Sequence, residues 1–280
     1  MLKMLAVDID GTLLRSDFSI SKRTRRAISA AQERGIVVVI ATGRRPATAG
    51  RFAAEIGAAR APLLTLDGAL TLDGARRPIA AVPLPKDVVQ HAVRVAVDAG
   101  ATALALTQEG HYVVGRLLPR RPLRRIWRRR VFRWNGLRHR MWDMTLRPSP
   151  CADPAVLESM QVLKVNVFGP GEEVARRRLE DDLAGDAWFT MPFGQGTEIV
   201  APGVNKAFGL RVLAGHLGFA VEEMMAVGDN FNDVAMLRLS GCSYLMGNAP
   251  RTLTLPVRRA PPTNRDGLAH AIEEALLGRH

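Results

Sequence analysis

A chain of 280 residues and 30.5 kDa, 47% hydrophobic and 24% charged, has room for one large domain or a core with a second unit; a wholly disordered or fibrous protein is excluded. The balance of 39 basic to 27 acidic residues gives +12, but 34 of the 39 are arginine, a bias that genomic base composition produces and that assigns no function by itself. Two cysteines exclude a disulfide framework or a cysteine-ligated zinc cluster, and the apolar start MLKMLAVDIDGTLL is cut by Asp8 and Asp10 before it could act as a secretory signal; with no apolar window of membrane-spanning length, the expectation is a soluble cytoplasmic protein with no membrane partner.

Residues 3–9 read as a short apolar strand that ends on carboxylates. Residues 21–35 read as a helix, with Ser21 to cap its start, Gly35 to end it, and Ala27, Ile28 and Ala31 as its apolar stripe. Residues 36–41, IVVVIA, are β-branched and apolar, the pattern of a strand buried on both faces. A helix over about 46–57 follows, then a strand over 63–70 that runs into a Gly turn. The order strand, helix, strand, helix, strand predicts a parallel sheet covered by helices on both faces, a Rossmann-like three-layer α/β/α core. Right-handed crossovers bring the carboxyl ends of such strands to one edge, where open α/β sheets bind ligands.

The middle of the chain changes pattern. Residues 86–99 read as a helix, 101–107 and 111–115 as a hairpin across Glu109-Gly110, 161–168 as a strand, 172–183 as a helix and 188–191 as a strand. This is a separate α+β unit, entered through the proline-bearing stretch 78–85 and left near residues 192–196. The predicted organisation is therefore one discontinuous core, residues 1–84 and 192–280, with a cap inserted at 85–191. Residues 116–140 hold 11 arginines and no acid, interleaved with Trp127, Phe132 and Trp134. The favoured reading of this segment is a solvated cap face. The alternative is a binding or scaffold protein that uses it for nucleic acid or another polyanion.

The chemistry sits at predicted strand ends. Asp8 and Asp10 lie two apart at the first, and neighbouring carboxylates need a cation or a shared proton to offset their repulsion. The second strand ends in Thr42-Gly43-Arg44, a hydroxyl and backbone donors suited to an anion's oxygens. Lys206 opens a helix after a strand at 198–202. The apolar run MMAVG ends at Asp229, with Asn232 and Asp233 just beyond. Carboxylates and anion binders converging on one edge are the composition expected for a magnesium ion and a phosphoryl group.

DIDGTLL, TGR, Lys206 and GDNFND, in that order, resemble the four motifs of the haloacid dehalogenase-like hydrolases, in the Cof-like branch whose α/β cap follows the third core strand. Leu66-Asp67-Gly68-Ala69 resembles the branch's NGA turn. Met246-Gly247-Asn248-Ala249 and Asn264-Arg265-Asp266-Gly267 resemble its last core landmarks. The resemblance spans residues 5–267 and implies a Mg²⁺-dependent phosphatase that hydrolyses a small phosphorylated metabolite, such as a sugar phosphate or a phosphorylated cofactor, as a monomer or homodimer. It implies Asp8 as the nucleophile that forms an aspartyl-phosphate, and Asp10 as the group that protonates the leaving alcohol and then activates water. Asp8, Asp229 and the Asp10 backbone carbonyl would hold the metal. Thr42, Gly43 and Lys206 would bind phosphoryl oxygens, with Arg44 in support, and Asn232 or Asp233 would hold metal-bound water or orient Lys206. The chain departs from the pattern at Asp67, where Asn is usual, and at Ala207, where Gly is usual. Asp67 could serve the turn, disfavour highly anionic substrates or bind a sugar hydroxyl.

Overall fold

The computed structural model describes residues 1–115, 149–150, 154–190 and 196–278. The arginine-rich segment 116–140 and most of the expected exit at 192–196 lie outside the described residues. The chain forms two compact units, Met1–Val82 with Gly203–His280, and Pro83–Pro202. No helix among the described residues is long and apolar enough to cross a membrane.

The first unit is built on an eight-stranded sheet. Its strands are β1 (Met4–Val7), β2 (Val37–Ala41), β3 (Leu63–Thr65), β4 (Leu70–Leu72), β5 (Pro78–Ala81), β12 (Met224–Gly228), β13 (Cys242–Met246) and β14 (Arg258–Ala260), in the order β14-β13-β12-β1-β2-β3-β4-β5. From β14 to β3 every pairing is parallel; β3-β4-β5 is an antiparallel meander at the edge. The central strands are buried on both faces because helices cover both. Helix α1 (Lys22–Glu33) buries Ala27, Ile28 and Ala31, and its N-cap Ser21 accepts the Thr24 N–H as its sequence predicts. It packs against α7 (Gly267–Leu276), and Arg25 ties it to Glu55 at the end of α2 (Pro46–Glu55). A separate apolar cluster joins Met4, Ala6 and Met224 to Leu210 and Leu213 of α5 (Lys206–Leu217) and Met236 of α6 (Val234–Leu239).

The strand read over 63–70 does run into its Gly turn, but it ends at Thr65. Leu66, Asp67 and Gly68 take φ of 51°, 55° and 99°, so the chain reverses and returns as β4. Three successive left-handed residues cannot continue a strand. Gly68 is required there, because a side-chain carbon would overlap the backbone carbonyl of Asn205, just before α5.

The second unit carries a six-stranded sheet in the order β10-β11-β9-β6-β7-β8. Its strands are β6 (Thr102–Leu106), β7 (His111–Gly115), β8 (Ser149–Pro150), β9 (Lys164–Phe168), β10 (Trp188–Thr190) and β11 (Thr197–Val200). All pairings but β7-β8 are antiparallel. Helices α3 (Lys86–Asp98) and α4 (Glu172–Asp182) pack on the sheet and on each other. The fold is thus a Rossmann-like core with an inserted α+β cap. The sequence reading returns the chain to the core at residue 192, but β11 pairs with β9 and β10, so this unit runs through Pro202.

Candidate active site

Because β1, β2, β3 and β12 run parallel, the residues that leave their carboxyl ends meet at one edge of the core sheet. Asp8 follows β1 and its amide still donates to Val227 O of β12 at 3.1 Å. Asp229 follows β12, Thr42 follows β2, and Asp67 lies in the turn after β3. Lys206 is the first residue of α5, whose N-cap Asn205 accepts the Phe208 N–H at 3.0 Å; Ala207 fits as its second residue.

Lys206 is the hub. Its ammonium is fully buried and donates to Asp8 Oδ1 and to Asp233 Oδ1, both at 2.6 Å. Burial, the largest single influence, works against its charge, but the carboxylates of Asp233, Asp8 and Asp67 together hold its pKa above the ordinary lysine value. Asp233 is itself fully committed, since its Oδ2 accepts the backbone N–H groups of Asp229 (2.8 Å) and Asn230 (3.0 Å). It shapes the loop after β12 as well as orienting the lysine.

Carboxylate oxygens of Asp8, Asp229 and Asp233 all lie within 4.8 Å of one another. Burial raises the Asp8 pKa well above the carboxylate range; Lys206 opposes the rise, and Asp233, Asp229 and Asp10 add to it. Burial also lifts Asp229 to about 7, with Asp233 adding and the Thr12 hydroxyl and Lys206 opposing. The lysine leaves the cluster short of positive charge, and its hard oxygen donors suit a small divalent cation. The structure groups Asp233, not the Asp10 side chain, with Asp8 and Asp229.

Asp10 is turned to the loop after β2 instead. Arg44 donates to it through Nε to Oδ2 and through Nη2 to Oδ1, each at 2.6 Å. Thr42 is buried, and its hydroxyl oxygen accepts the Arg44 N–H at 3.2 Å, which leaves the hydroxyl proton for another acceptor. Asn232 donates its Nδ2 to Asp67 Oδ1 at 3.1 Å.

Sequence reasoning placed Asn248 in a core landmark but gave neither it nor Thr12 a part in fixing Asp229. Thr12 donates its hydroxyl to Asp229 Oδ1 (3.1 Å), and Asn248 donates Nδ2 to Oδ2 (3.1 Å) and to Gly11 O (2.9 Å). The Asn248 Oδ1 in turn accepts the Thr263 N–H at 2.8 Å. The available signal was positional: Asn248 sits two residues beyond β13, at the same sheet edge.

The model of the haloacid dehalogenase-like hydrolase family matches residues 5–272, and the chain belongs to that family, in its Cof-like branch. It is 27% identical over 251 residues to an HMP-PP phosphatase of Serratia proteamaculans, covering 89% of this chain and 85% of that one. It is 26% identical over 280 residues to the 5-amino-6-(5-phospho-D-ribitylamino)uracil phosphatase YcsE of Bacillus subtilis, covering 99% and 96%. The solved structure of the phosphatase BT1666 from Bacteroides thetaiotaomicron superposes with a TM-score of 0.77 at 25% identity, over 98% of this chain and 95% of that one.

Proposed function

We propose that this protein is a Mg²⁺-dependent phosphomonoesterase of the cytoplasm that hydrolyses a small phosphorylated metabolite through an aspartyl-phosphate on Asp8. The observation that carries this reading is the Lys206–Asp8 pair, an ammonium and a carboxylate 2.6 Å apart and buried beside Asp229. A carboxylate is a weak nucleophile that an anionic phosphoryl group repels, so it serves only where fixed positive charge offsets the repulsion. Asp8 and Asp229, with the Asp10 backbone carbonyl, would hold the ion. When bound, Mg²⁺ supplies the charge that brings phosphoryl oxygens to a carboxylate.

An oxygen of Asp8 attacks phosphorus as the bond to the ester oxygen breaks. Lys206 and the Thr42 hydroxyl hold phosphoryl oxygens as charge shifts toward the leaving group. Asp10 gives that oxygen a proton and the alcohol departs. Asp10 then takes a proton from the water that attacks phosphorus, which releases inorganic phosphate and restores Asp8. The protein's substrate is a sugar phosphate, a phosphorylated cofactor or a phosphorylated ribitylaminouracil of the kind the Bacillus subtilis phosphatase YcsE acts on. Purified protein with Mg²⁺ should release phosphate from at least one member of such a panel. A folded wild-type protein that turned over none of them would sink the reading.

A further inference from the structure

Asp67 stands where the family's turn carries Asn. Its φ of 55° explains why residue 67 is Asp or Asn, the side chains most tolerant of the left-handed region, but it does not explain the choice of Asp. The residue is 2% exposed, and its carboxylate already accepts from the Asn232 amide. The Asp67 N–H donates to Thr42 O at 3.2 Å, and the carboxylate lies so close to Gly43 that a side-chain carbon there would come 2.8 Å from Oδ2. Asp67 therefore touches the loop after β2 and, through Asn232, the loop after β12.

A carboxylate only accepts hydrogen bonds, whereas a carboxamide can present either end. Opposite Asp67, the Asn232 amide has one favourable orientation: Nδ2 toward Asp67 and Oδ1 away from it. An Asn at 67 would permit both orientations. We propose that Asp67 is a positioning residue that fixes the Asn232 carboxamide with Oδ1 as its outward acceptor, and so sets how tightly a divalent cation and its water are held beside Asp229. The inference rests on the metal-dependent reading above.

The test is a double-mutant cycle of Asp67→Asn, Asn232→Ala and the pair together, read by titration calorimetry with Mg²⁺ alone on metal-stripped, phosphate-free protein. Asp67→Asn suits the left-handed backbone and should melt close to wild type. Each single change should weaken Mg²⁺ binding roughly ten-fold, the lower end of what loss of a residue behind a metal ligand produces. The double variant should bind no more weakly than Asn232→Ala, because Asp67 acts through that amide. Saturating Mg²⁺ should restore the Asp67→Asn turnover of p-nitrophenyl phosphate. Unchanged Mg²⁺ affinity in Asp67→Asn, or additive losses in the pair, would overturn this inference alone. A wild type that binds no Mg²⁺ would overturn the metal reading and the inference with it.

Discussion

Arg44 grips both oxygens of Asp10, with Nε 2.6 Å from Oδ2 and Nη2 2.6 Å from Oδ1. The guanidinium also sits over the Phe52 ring, 5.8 Å from its centroid, so the fork is braced from behind. A two-point grip fixes the plane of the Asp10 carboxylate as well as its position. Arg44→Lys keeps the charge and loses the fork. Turnover of an alkyl phosphate should fall about ten-fold, with a smaller loss for p-nitrophenyl phosphate, whose leaving group needs little protonation. Equal losses on both substrates would remove Arg44 from the proton-transfer step.

Asp10→Asn should sharpen the same contrast. Asp8 and its lysine remain; on the proposed mechanism attack on phosphorus then survives, while proton delivery and water activation fail. Rapid-quench measurements should show a smaller loss in phosphorylation rate for an aryl than for an alkyl ester, and a phosphorylated protein that persists. A variant that releases phosphate as fast as it is phosphorylated would contradict the assignment.

Asp8→Asn removes the proposed nucleophile and a buried carboxyl group whose ionisation burial opposes. Turnover and covalent labelling should fall to background. The melting temperature should stay within roughly 2 °C of wild type or rise, since the lost Lys206 contact is offset by relief of a crowded acidic cluster. Residual labelling by a phosphate ester would point to another nucleophile.

Much of this arrangement was legible in the sequence because strand ends are. An apolar run that stops at Asp8 or Asp229 announces both the element and the edge at which its carboxylate emerges. The turn at Asp67-Gly68 was legible in its residue types, but its start at Leu66 was not, since leucine carries no sign of a positive φ. The membership of β11 was hidden too, because pairing partners are a tertiary choice that local pattern does not encode. Asp233 was open between two roles, and the structure gives its two oxygens different ones, Lys206 on one and backbone amides on the other. The Arg44–Asp10 fork and the Asn248 bridge to Asp229 join residues 34 and 19 positions apart, at separations that spacing rules do not reach.

Asp229 links the site to a pH-dependent stability. Its pKa rises from 3.8 to about 7 on folding, so between those values the folded state binds more protons than the unfolded state. The stability associated with the protonated group is present below pH 4 and is lost as the pH rises through 7. In chelator, the wild type should therefore lose melting temperature relative to Asp229→Asn as the pH goes from 5 to 8. Added Mg²⁺ should stabilise the wild type more at pH 8 than at pH 6, because it binds the ionised cluster. A melting difference between the two proteins that is flat across this range would show that Asp229 does not titrate there.

Gly11 and Gly35 share a φ of +77°, yet their surroundings differ completely. A side-chain carbon on Gly11 would overlap Asp229 Oδ2, whereas one on Gly35 would meet nothing within 4 Å. Both alanine variants carry the strain of a left-handed non-glycine residue, about 1–2 kcal/mol. Only Gly11→Ala must also push Asp229 away from the Thr12 hydroxyl and the Asn248 amide that hold its two oxygens. Gly35→Ala should therefore lower the melting temperature and leave kcat/KM within two-fold of wild type. Gly11→Ala should lose more stability than Gly35→Ala and about 100-fold or more in kcat/KM, the scale expected when a group of the site is displaced by an ångström. Its Mg²⁺ affinity, measured calorimetrically without substrate, should fall in parallel. If Gly11→Ala kept both its activity and its metal binding, Asp229 could not be the group whose position the Gly11 turn protects.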